Sequence, residues 1–364
     1  MLIRLNSGLG NQMFIYAFAR ALSLRGYSVT LDATGYIDRI HPDSLDINQP
    51  YIKVGNTKQR DARLLELSLF NIQLPLCFDI NYINNYLYKH DKKLKRKVIA
   101  WKYIERTIDL FQNNFRYIKP QSNELKKIIN KNIPLSMYKH RLKEPLMNIK
   151  NPCMDSFLYN NFNPHSYIEG YFQNLVYFEN IDSIIRKEFS LKTPLQSHNK
   201  ELKTKIEKIR NSVFMHVRLG DYITDGGYVH LGKTYYQNAI DTIKEMIERP
   251  YIFVFSNDIE WCEKNLFSLV DFSGCDVDFV KGNSEGNAAE EMELMRSCKH
   301  GIIANSTFSW WAAYLMDNSN KKIIMPTQFL NNLDMLPQAN MLAKENFIRL
   351  NPFWGGGGRV RHGI

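Results

Sequence analysis

Short apolar segments alternate with helical stretches along most of this chain, and this alternation restricts its fold more than any other feature. The segments at 1–5, 213–216, 251–255, 301–304 and 322–325 are each typical of a buried strand. Strands separated by helices pair in parallel, and the helices cover the faces of the sheet. The pattern therefore predicts an α/β fold built on parallel sheets.

The length of the chain and a change in its pattern predict two domains. A chain of 364 residues, 44% of them hydrophobic, exceeds the usual size of a single core. Residues 72–164 are rich in Tyr, Asn, Lys and Phe and show little periodicity, which sharpens from residue 166. We expect an N-terminal α/β domain over 1–165 and a C-terminal Rossmann-like domain over 166–350. We interpret the glycine-rich segment 355–364 as a flexible tail.

The chain has an excess of positive charge, with 47 Lys and Arg against 37 Asp and Glu and a net charge of +10. This excess predicts an anionic partner such as a nucleotide, an acidic lipid surface or a nucleic acid. The basic run 89–97 is typical of a solvated helix face, and it also suits peripheral contact with an acidic membrane surface. No nucleic-acid-binding module accompanies it, so we expect no nucleic-acid partner.

Cysteine usage and the start of the chain predict a cytoplasmic location. The five cysteines include no C-x-x-C pair, which indicates reduced thiols rather than disulfides or a zinc site. The chain opens directly on an apolar strand without the pattern of a secretory signal, and no stretch of 18 apolar residues occurs. Peripheral contact with the inner face of the cytoplasmic membrane is compatible with this location.

The strongest candidate site lies where an apolar strand runs into a polar loop. His216 and Arg218 occupy alternate positions at the strand end, so their side chains point to the same side. The planar fork of an arginine suits a phosphate, and a histidine ring can meet a flat base beside it. The alternative is an ordinary strand end at which Arg218 pairs with Asp221 in solvent.

The loop after the first strand contains two glycines and the polar pair Asn11 and Gln12. It resembles half of a dinucleotide-binding fingerprint, but Met13 stands at the third glycine position and only Asp32 could supply the acidic residue. A dinucleotide site is therefore disfavoured. The glycines still allow backbone amides to face an anion or a hydroxyl at the helix start. We expect Asn11 and Gln12 to lie in a cleft between the domains.

A second helix start, late in the chain, has the composition of an anion seat. A buried strand ends at Asn305, and the hydroxyl residues Ser306, Thr307 and Ser309 then open a helix. Unpaired amides, hydroxyls and the positive end of the helix all favour an anion there. Simple capping needs one hydroxyl, whereas this turn supplies three. We predict that Ser306, Thr307 and the amides of Thr307 and Phe308 hold a phosphate.

Two further carboxylates each have a structural alternative. Asp258 follows a strand and is a good helix N-cap, or else a ligand residue. Glu291 lies on a predicted helix, where a glutamate is usually solvated, but beside His216 its carboxylate would suit the N1–H and N2–H₂ donors of guanine. The pair Asp276 and Asp278 resembles a metal-binding motif, but it lies inside a predicted strand, so we expect no metal there.

Taken together, these segments resemble the α-1,2-fucosyltransferases, family 11 of the glycosyltransferases. The matching segments follow one another in the order of the family. They span about residue 5 to residue 315, so the resemblance covers most of the chain. These segments are Gly8–Phe14, Gly170–Gln173, His216–Arg218, Gly220–Tyr222, Leu231–Gly232, Tyr235–Tyr236, Ser256–Asp258 and Cys298–Trp311. In one departure from the family, Leu219 replaces the second of two adjacent arginines, which affects the expected affinity for the donor.

The resemblance implies a two-domain glycosyltransferase fold of the B type (GT-B), with GDP-fucose on the C-terminal domain and the acceptor facing the N-terminal one. It implies inverting transfer of L-fucose from GDP-β-L-fucose to the 2-hydroxyl of a terminal galactose, without a metal or other cofactor. In bacterial relatives the acceptor glycan commonly belongs to a surface polysaccharide such as the lipopolysaccharide O-antigen. The alternative is another sugar-nucleotide-dependent glycosyltransferase with the same phosphate cradle.

Residue roles follow from this resemblance together with the local chemistry. Arg218 is expected to neutralise the leaving pyrophosphate, and Asn11 to orient the acceptor hydroxyl. Asp221, with Asp225 four residues later, is the candidate general base, although Asp221 could equally hold Arg218 in place. The predicted donor-binding set is His216, Arg218, Asp258, Glu291, Asn305, Ser306, Thr307 and Phe308.

Overall fold

The computed structural model describes residues 1–36, 64–90, 142–143, 164–219, 227–283, 286–331, 339–340 and 342–353. Several predictions fall outside these residues. They concern the glycine-rich tail, most of the irregular 72–164 stretch, most of the basic run, and the candidate bases Asp221 and Asp225.

In the described residues the first sheet has five parallel strands in the order β3-β2-β1-β5-β4. Helix α1 follows β1 and is buried along most of its length, and α2 follows β3. The strands are β1 (Leu2–Arg4), β2 (Thr30–Asp32), β3 (Leu76–Cys77), β4 (Leu142–Lys143) and β5 (Tyr167–Glu169), and the helices are α1 (Leu9–Leu24) and α2 (Ile80–His90).

The second sheet has six parallel strands in the order β11-β10-β9-β6-β7-β8. Its strands are β6 (Ser212–Val217), β7 (Tyr251–Ser256), β8 (Asp276–Phe279), β9 (His300–Ile302), β10 (Ile323–Pro326) and β11 (Phe347–Leu350). The helices in the described residues of this half are α3 (Asp182–Glu188), α4 (Ser197–Lys208), α5 (Lys233–Met246), α6 (Ile259–Leu269), α7 (Ala288–Ser297) and α8 (Thr307–Leu315). All six residues of β6 are buried, as expected for a central strand covered on both faces.

Two parallel sheets with helices between their strands confirm the predicted α/β class and the two-domain architecture of the GT-B type. The position of β5 corrects the predicted division of the chain. Tyr167 and Ile168 pair with β1, so the first sheet extends to Glu169, beyond the boundary predicted at residue 165. The periodicity that begins at residue 166 is that of the last strand of the first domain.

Each sheet has a point at which the direction of strand addition reverses. In the second sheet the chain runs outward from β6 to β8 on one side and from β9 to β11 on the other, so the reversal lies between β6 and β9. In the first sheet it lies between β1 and β5. Ligands of open α/β sheets bind beyond the carboxyl ends of the strands at such points. The loops after β1, β5, β6 and β9 therefore occupy the positions best suited to a site.

An aromatic core joins the two sheets. The ring of Phe14 in α1 lies 4.8 Å, centroid to centroid, from both Trp310 and Trp311 in α8. The indole Nε1 of Trp311 donates to the carbonyl of Gly10 at 3.0 Å. These contacts hold α1 and α8 against each other. Within the described parts of the chain, no helix is both long and apolar enough to cross a bilayer.

Candidate active site

The reversal point of the second sheet brings the end of β6 and the start of α8 together. His216, near the end of β6, lies with its ring centroid 5.7 Å from that of Phe308 in the first turn of α8. Arg218 follows one residue beyond the strand and is half-buried. The structure thus places the histidine–arginine motif beside the hydroxyl-rich helix start.

The His216 side chain is only 3% exposed, and its Nδ1 is a buried polar atom without a hydrogen bond among the described residues. Burial, together with the nearby positive charge of Arg218, lowers the pKa of His216 to about 3. The imidazole is therefore neutral at physiological pH. A buried polar atom without a partner costs about 1–3 kcal/mol, so this nitrogen marks a position where a ligand atom would be stabilised.

The backbone next to Arg218 is clamped from the neighbouring strand. Asn257, in the loop after β7, accepts from the Leu219 amide at 2.8 Å and donates to the Leu219 carbonyl at 3.1 Å. The Leu219 side chain is buried in the apolar core of the second sheet. The position where the family often has its second arginine therefore serves packing in this chain. Asn257 lies in the segment Ser256–Asp258 that resembles the family, but its contact with Leu219 is not visible in the sequence.

Glu291 in the first turn of α7 lies close to two other charged groups. Burial raises the pKa of its carboxyl to about 8; the neighbouring carboxylate of Glu66 adds to the rise and Arg218 opposes it. Glu66 comes from the first half of the chain and accepts a hydrogen bond from the Ala288 amide at 2.9 Å, at the start of the same helix. Glu291 therefore lies near both Arg218 and a carboxyl group from the first half of the chain. Nothing in the local sequence around Glu66 indicated this position.

The start of α8 is not capped by a hydroxyl. Ser306 has the extended backbone of an N-cap residue, but its side chain accepts no hydrogen bond from the amides of the first turn. Ser309 is fully buried and its hydroxyl donates to the carbonyl of Ser306 at 3.3 Å. The first-turn amides and the hydroxyls of Ser306 and Thr307 are thus placed where an anion would meet the positive end of the helix.

The start of α1 touches the start of α8 through Gly10. A Cβ atom at this position would lie 2.6 Å from the Phe308 amide nitrogen, from the Thr307 carbonyl carbon and from Thr307 Oγ1. Real Cβ atoms do not approach backbone that closely, so only glycine permits this contact. From the sequence, the glycines of this loop are expected to let backbone amides face an anion or a hydroxyl. In the structure, Gly10 serves the packing of two helix starts.

Asn11 and Gln12 differ in their surroundings. Gln12 is fully buried, its Nε2 donates to the carbonyls of Ser7 (2.9 Å) and Leu64 (2.8 Å), and its Oε1 accepts from the Leu67 amide at 3.1 Å. The expectation that Gln12 lies in an open cleft is therefore wrong, because its hydrogen-bonding groups hold the 64–67 segment. Asn11 is half-buried, as a site residue would be.

Two of the predicted donor-binding side chains make structural contacts. Asn305 is buried and its Nδ2 donates to the carbonyls of Val229 (2.8 Å) and Phe329 (2.9 Å), which ties two loops to the end of β9. Asp258 is exposed and accepts from the Trp261 amide at 3.0 Å, which gives it the N-cap role considered as the alternative. Their contact with a donor stays a prediction.

Two acidic residues of the segments that resembled ligand motifs, Asp278 and Asp32, are engaged by neighbouring side chains. Asp278 forms an ion pair with Lys205 and accepts from the Tyr251 hydroxyl at 3.0 Å. Asp32 is buried and accepts from the Tyr167 hydroxyl at 2.6 Å and from the Thr34 hydroxyl at 2.7 Å. In the described segments, no cluster of three or more His, Cys, Asp and Glu residues has the arrangement of a metal site.

Comparison with known proteins defines the class of this one. Residues 73–349, more than half of the chain, match the profile of glycosyl transferase family 11. The chain therefore belongs to this family and is a glycosyltransferase, related to the α-1,2-fucosyltransferases and to O-antigen enzymes.

Individual relatives differ in how much of their length is matched. The O-antigen biosynthesis glycosyltransferase WbnK of Escherichia coli is 28% identical over 89% of this chain and 93% of the relative. An α-1,2-colitosyltransferase of Escherichia coli is 36% identical over 46% of this chain and 59% of the relative. Galactoside α-(1,2)-fucosyltransferase 1 of Oryctolagus cuniculus is 32% identical over 38% of this chain and 39% of the relative. The chain thus matches less than two thirds of the last two.

Among solved structures, the fucosyltransferase NodZ from Bradyrhizobium is 13% identical, with a TM-score of 0.44 over 85% of this chain and 90% of that protein. The heptosyltransferase II of Escherichia coli is also 13% identical, with a TM-score of 0.37 over 96% of this chain and 89% of that protein. Both are distant similarities.

Proposed function

We propose that this glycosyltransferase transfers L-fucose from GDP-β-L-fucose to the 2-hydroxyl of a terminal galactose, with inversion and without a metal, in the synthesis of a bacterial O-antigen. The names of its relatives support the reaction class and the setting. The observation that carries the choice of a guanine nucleotide is the buried, unpartnered Nδ1 of His216 at the sheet's reversal point, close to Arg218 and with Glu291 near that arginine.

The base specificity follows from His216 and Glu291. A neutral imidazole offers one donor and one acceptor nitrogen and therefore suits the polar edge of a base rather than a phosphate. An ionised Glu291 accepts from N1–H and N2–H₂ of guanine, donors that adenine does not present as a pair. Hydrogen bonds to a charged group contribute about 1.5–3 kcal/mol each, enough to select one base over the other.

The binding of the diphosphate is inferred from Arg218 and the start of α8. The guanidinium makes charge-assisted hydrogen bonds to phosphate oxygens, and the hydroxyls of Ser306 and Thr307 add donors beside the first-turn amides. Negative charge grows on the β-phosphate as the bond between the sugar C1 and the phosphate oxygen breaks. Fixed donors at that position stabilise the transition state more than the ground state. This cradle supplies the charge stabilisation that a divalent metal supplies elsewhere.

The transfer is a displacement at C1 of the sugar. The acceptor O2 forms a bond to C1 on the face opposite the leaving group, and the electron pair of the C1–O bond departs with GDP. The β-linked donor therefore yields an α-linked product. The proton of the acceptor hydroxyl passes to a base, for which Asp221 is the candidate, while Asn11 orients the hydroxyl or the leaving group.

The relative named as a colitosyltransferase supports a second donor. Colitose is fucose without the 3-hydroxyl, so GDP-colitose presents the same guanine, diphosphate and ring to the cradle. The two donors differ by one hydrogen-bonding group on the sugar. A site that hydrogen-bonds this hydroxyl rejects the donor without it, whereas a site with an apolar contact there accepts both.

The test is a transfer and hydrolysis assay with GDP-fucose and GDP-colitose on an array of galactosides, with and without EDTA. We expect fucose transfer to a terminal galactose, unaffected by EDTA, and the α-1,2 linkage in the product by NMR. Preference for GDP-colitose would change the proposed donor sugar but leave the proposed phosphate-binding residues unchanged. Absence of GDP binding to the folded protein in calorimetry would refute the proposal as a whole.

A further inference from the structure

Asn11 and Gln173 meet at the reversal point of the first sheet. Asn11 lies in the first turn of α1, directly after β1, and Gln173 lies in the loop after β5. The side-chain Nε2 of Gln173 donates to Oδ1 of Asn11 at 2.7 Å, across 162 positions of sequence. The segments that follow the two strands bordering the reversal point are thus linked by a hydrogen bond between carboxamides.

This hydrogen bond fixes which way the Asn11 carboxamide faces. With Oδ1 turned toward Gln173, the two N–H groups of Nδ2 point away from it. Among the described residues Nδ2 makes no hydrogen bond, so it is available to a ligand. Without Gln173, the carboxamide could turn about its last torsion and present oxygen instead, because this torsion is broad and roughly two-fold.

The loops that carry the pair are held in unusual conformations. Ser7 and Phe172 both have positive φ, 62° and 50°, in a region that residues other than glycine rarely adopt. The Ser7 carbonyl accepts from Gln12 Nε2 at 2.9 Å and from the Tyr36 hydroxyl at 2.6 Å. The Phe172 ring stacks on Phe18 at 3.9 Å, with 5° between the planes. Backbone strain of this kind persists where the surroundings over-determine it, often at functional sites.

The position of Asn11 identifies its ligand. Its neighbour Gly10 is in contact with Thr307 and Phe308, so Asn11 lies next to the start of α8. That helix start is where the diphosphate is placed in the proposed function. An N–H donor beside that helix start suits an anion, and of the two phosphates the β-phosphate is the one joined to the transferred sugar.

We propose that Gln173 is a positioning residue, which holds Asn11 so that Nδ2 donates to the β-phosphate of the donor. The diphosphate is then gripped from both sheets, by Arg218 and α8 on one side and by Asn11 on the other. This inference rests on the proposed function, since it requires a nucleoside diphosphate at the start of α8.

The experiment is a double-mutant cycle read by calorimetric binding of GDP and of GMP, which lacks the β-phosphate. The proteins are wild type, N11A, Q173A and the double variant, with Q73A as the control for an exposed glutamine of the same half. We expect N11A and Q173A each to weaken GDP binding about tenfold and GMP binding less than twofold. The double variant should be no weaker than N11A alone, because Gln173 acts through Asn11.

Three results would overturn the inference: a Q173A variant that binds GDP like wild type, equal losses for GDP and GMP, or losses that multiply in the double variant. If wild type itself binds no GDP, the proposed function fails instead, so the two failures are distinguishable.

A second variant keeps the test informative if Q173A does not fold. In Q173E the carboxylate repels Oδ1 of Asn11 at neutral pH but donates to it once protonated, as Gln173 does. The ratio of wild-type to Q173E affinity for GDP should fall as the pH is lowered toward the ordinary glutamate pKa of about 4.3. A ratio independent of pH would argue against the positioning role.

Discussion

Gly10 of α1 and Thr307 of α8 approach so closely that a Cβ on the glycine would lie 2.6 Å from the backbone of the threonine. The two residues open helices that follow β1 and β9, which border the reversal points of different sheets. This contact brings the two reversal points face to face. The geometry of the proposed phosphate cradle therefore depends on a residue without a side chain.

Replacing Gly10 by Ala should destabilise the protein and displace the start of α8. Overpacking against rigid backbone costs about 1–3 kcal/mol, which urea unfolding would detect. GDP affinity should fall as well, because the cradle is formed by the displaced residues. Gly35 is the matched control, because a Cβ there meets nothing within 4 Å. G35A should leave both quantities nearly unchanged; equal effects of the two substitutions would contradict the steric argument.

Replacing Arg218 by Ala should lower turnover about a hundredfold or more, because the lost donors act on charge that develops in the transition state. R218K keeps the charge but loses the planar fork, so it should recover only part of the activity. Arg210, exposed at the other end of β6, provides the control R210A. The measurement is kcat with saturating GDP-fucose. Near-normal turnover of folded R218A would remove this residue from the role.

Asn257 should act on catalysis through the backbone of Leu219. N257A removes both hydrogen bonds that hold the residue next to Arg218, so we expect kcat/KM to fall about tenfold while stability changes by about 1 kcal/mol or less per bond. N265A, which removes a half-buried asparagine bonded to the Trp261 carbonyl on α6, is the control. A loss in N257A that persists in an R218A background would show that Asn257 acts by another route.

GDP binding should release a proton from Glu291 below a pH of about 8. Its pKa is raised to about 8 in the free protein, so the carboxyl is mostly protonated at neutral pH. Guanine donors favour the ionised form, which lowers the pKa on binding. Affinity should therefore weaken as the pH falls below about 8.

Calorimetry in buffers of different ionisation enthalpy measures the released proton. The terminal phosphate of GDP contributes equally to proton release with wild type and with E291Q. The difference in proton release between the two proteins therefore comes from Glu291. Equal proton release by both would exclude Glu291 as the group that contacts guanine.

The motifs of the candidate site that are local in the chain can be recognised from the sequence. His216 and Arg218 alternate at one strand end, and three hydroxyl residues lie within four positions at the start of α8, so their chemistry is visible without the fold. The predicted domain boundary at residue 165 is wrong because the sequence of a single strand does not show which sheet the strand joins. The roles of Glu66 and Gln173 could not be predicted for the same physical reason, since their partners Ala288 and Asn11 lie 222 and 162 positions away.

Replacing His216 by Ala should raise the KM for GDP-fucose more than it lowers kcat. In the proposed function the neutral, buried imidazole contacts the base, which stays unchanged during the reaction, so its loss should affect ground state and transition state alike. H198A is the matched control, because His198 is exposed and its ring bonds the Lys281 carbonyl. Steady-state kinetics with varied donor separates the two constants. A large fall in kcat at unchanged KM would instead make His216 a participant in the chemical step, and the guanine would then have to be bound by other residues.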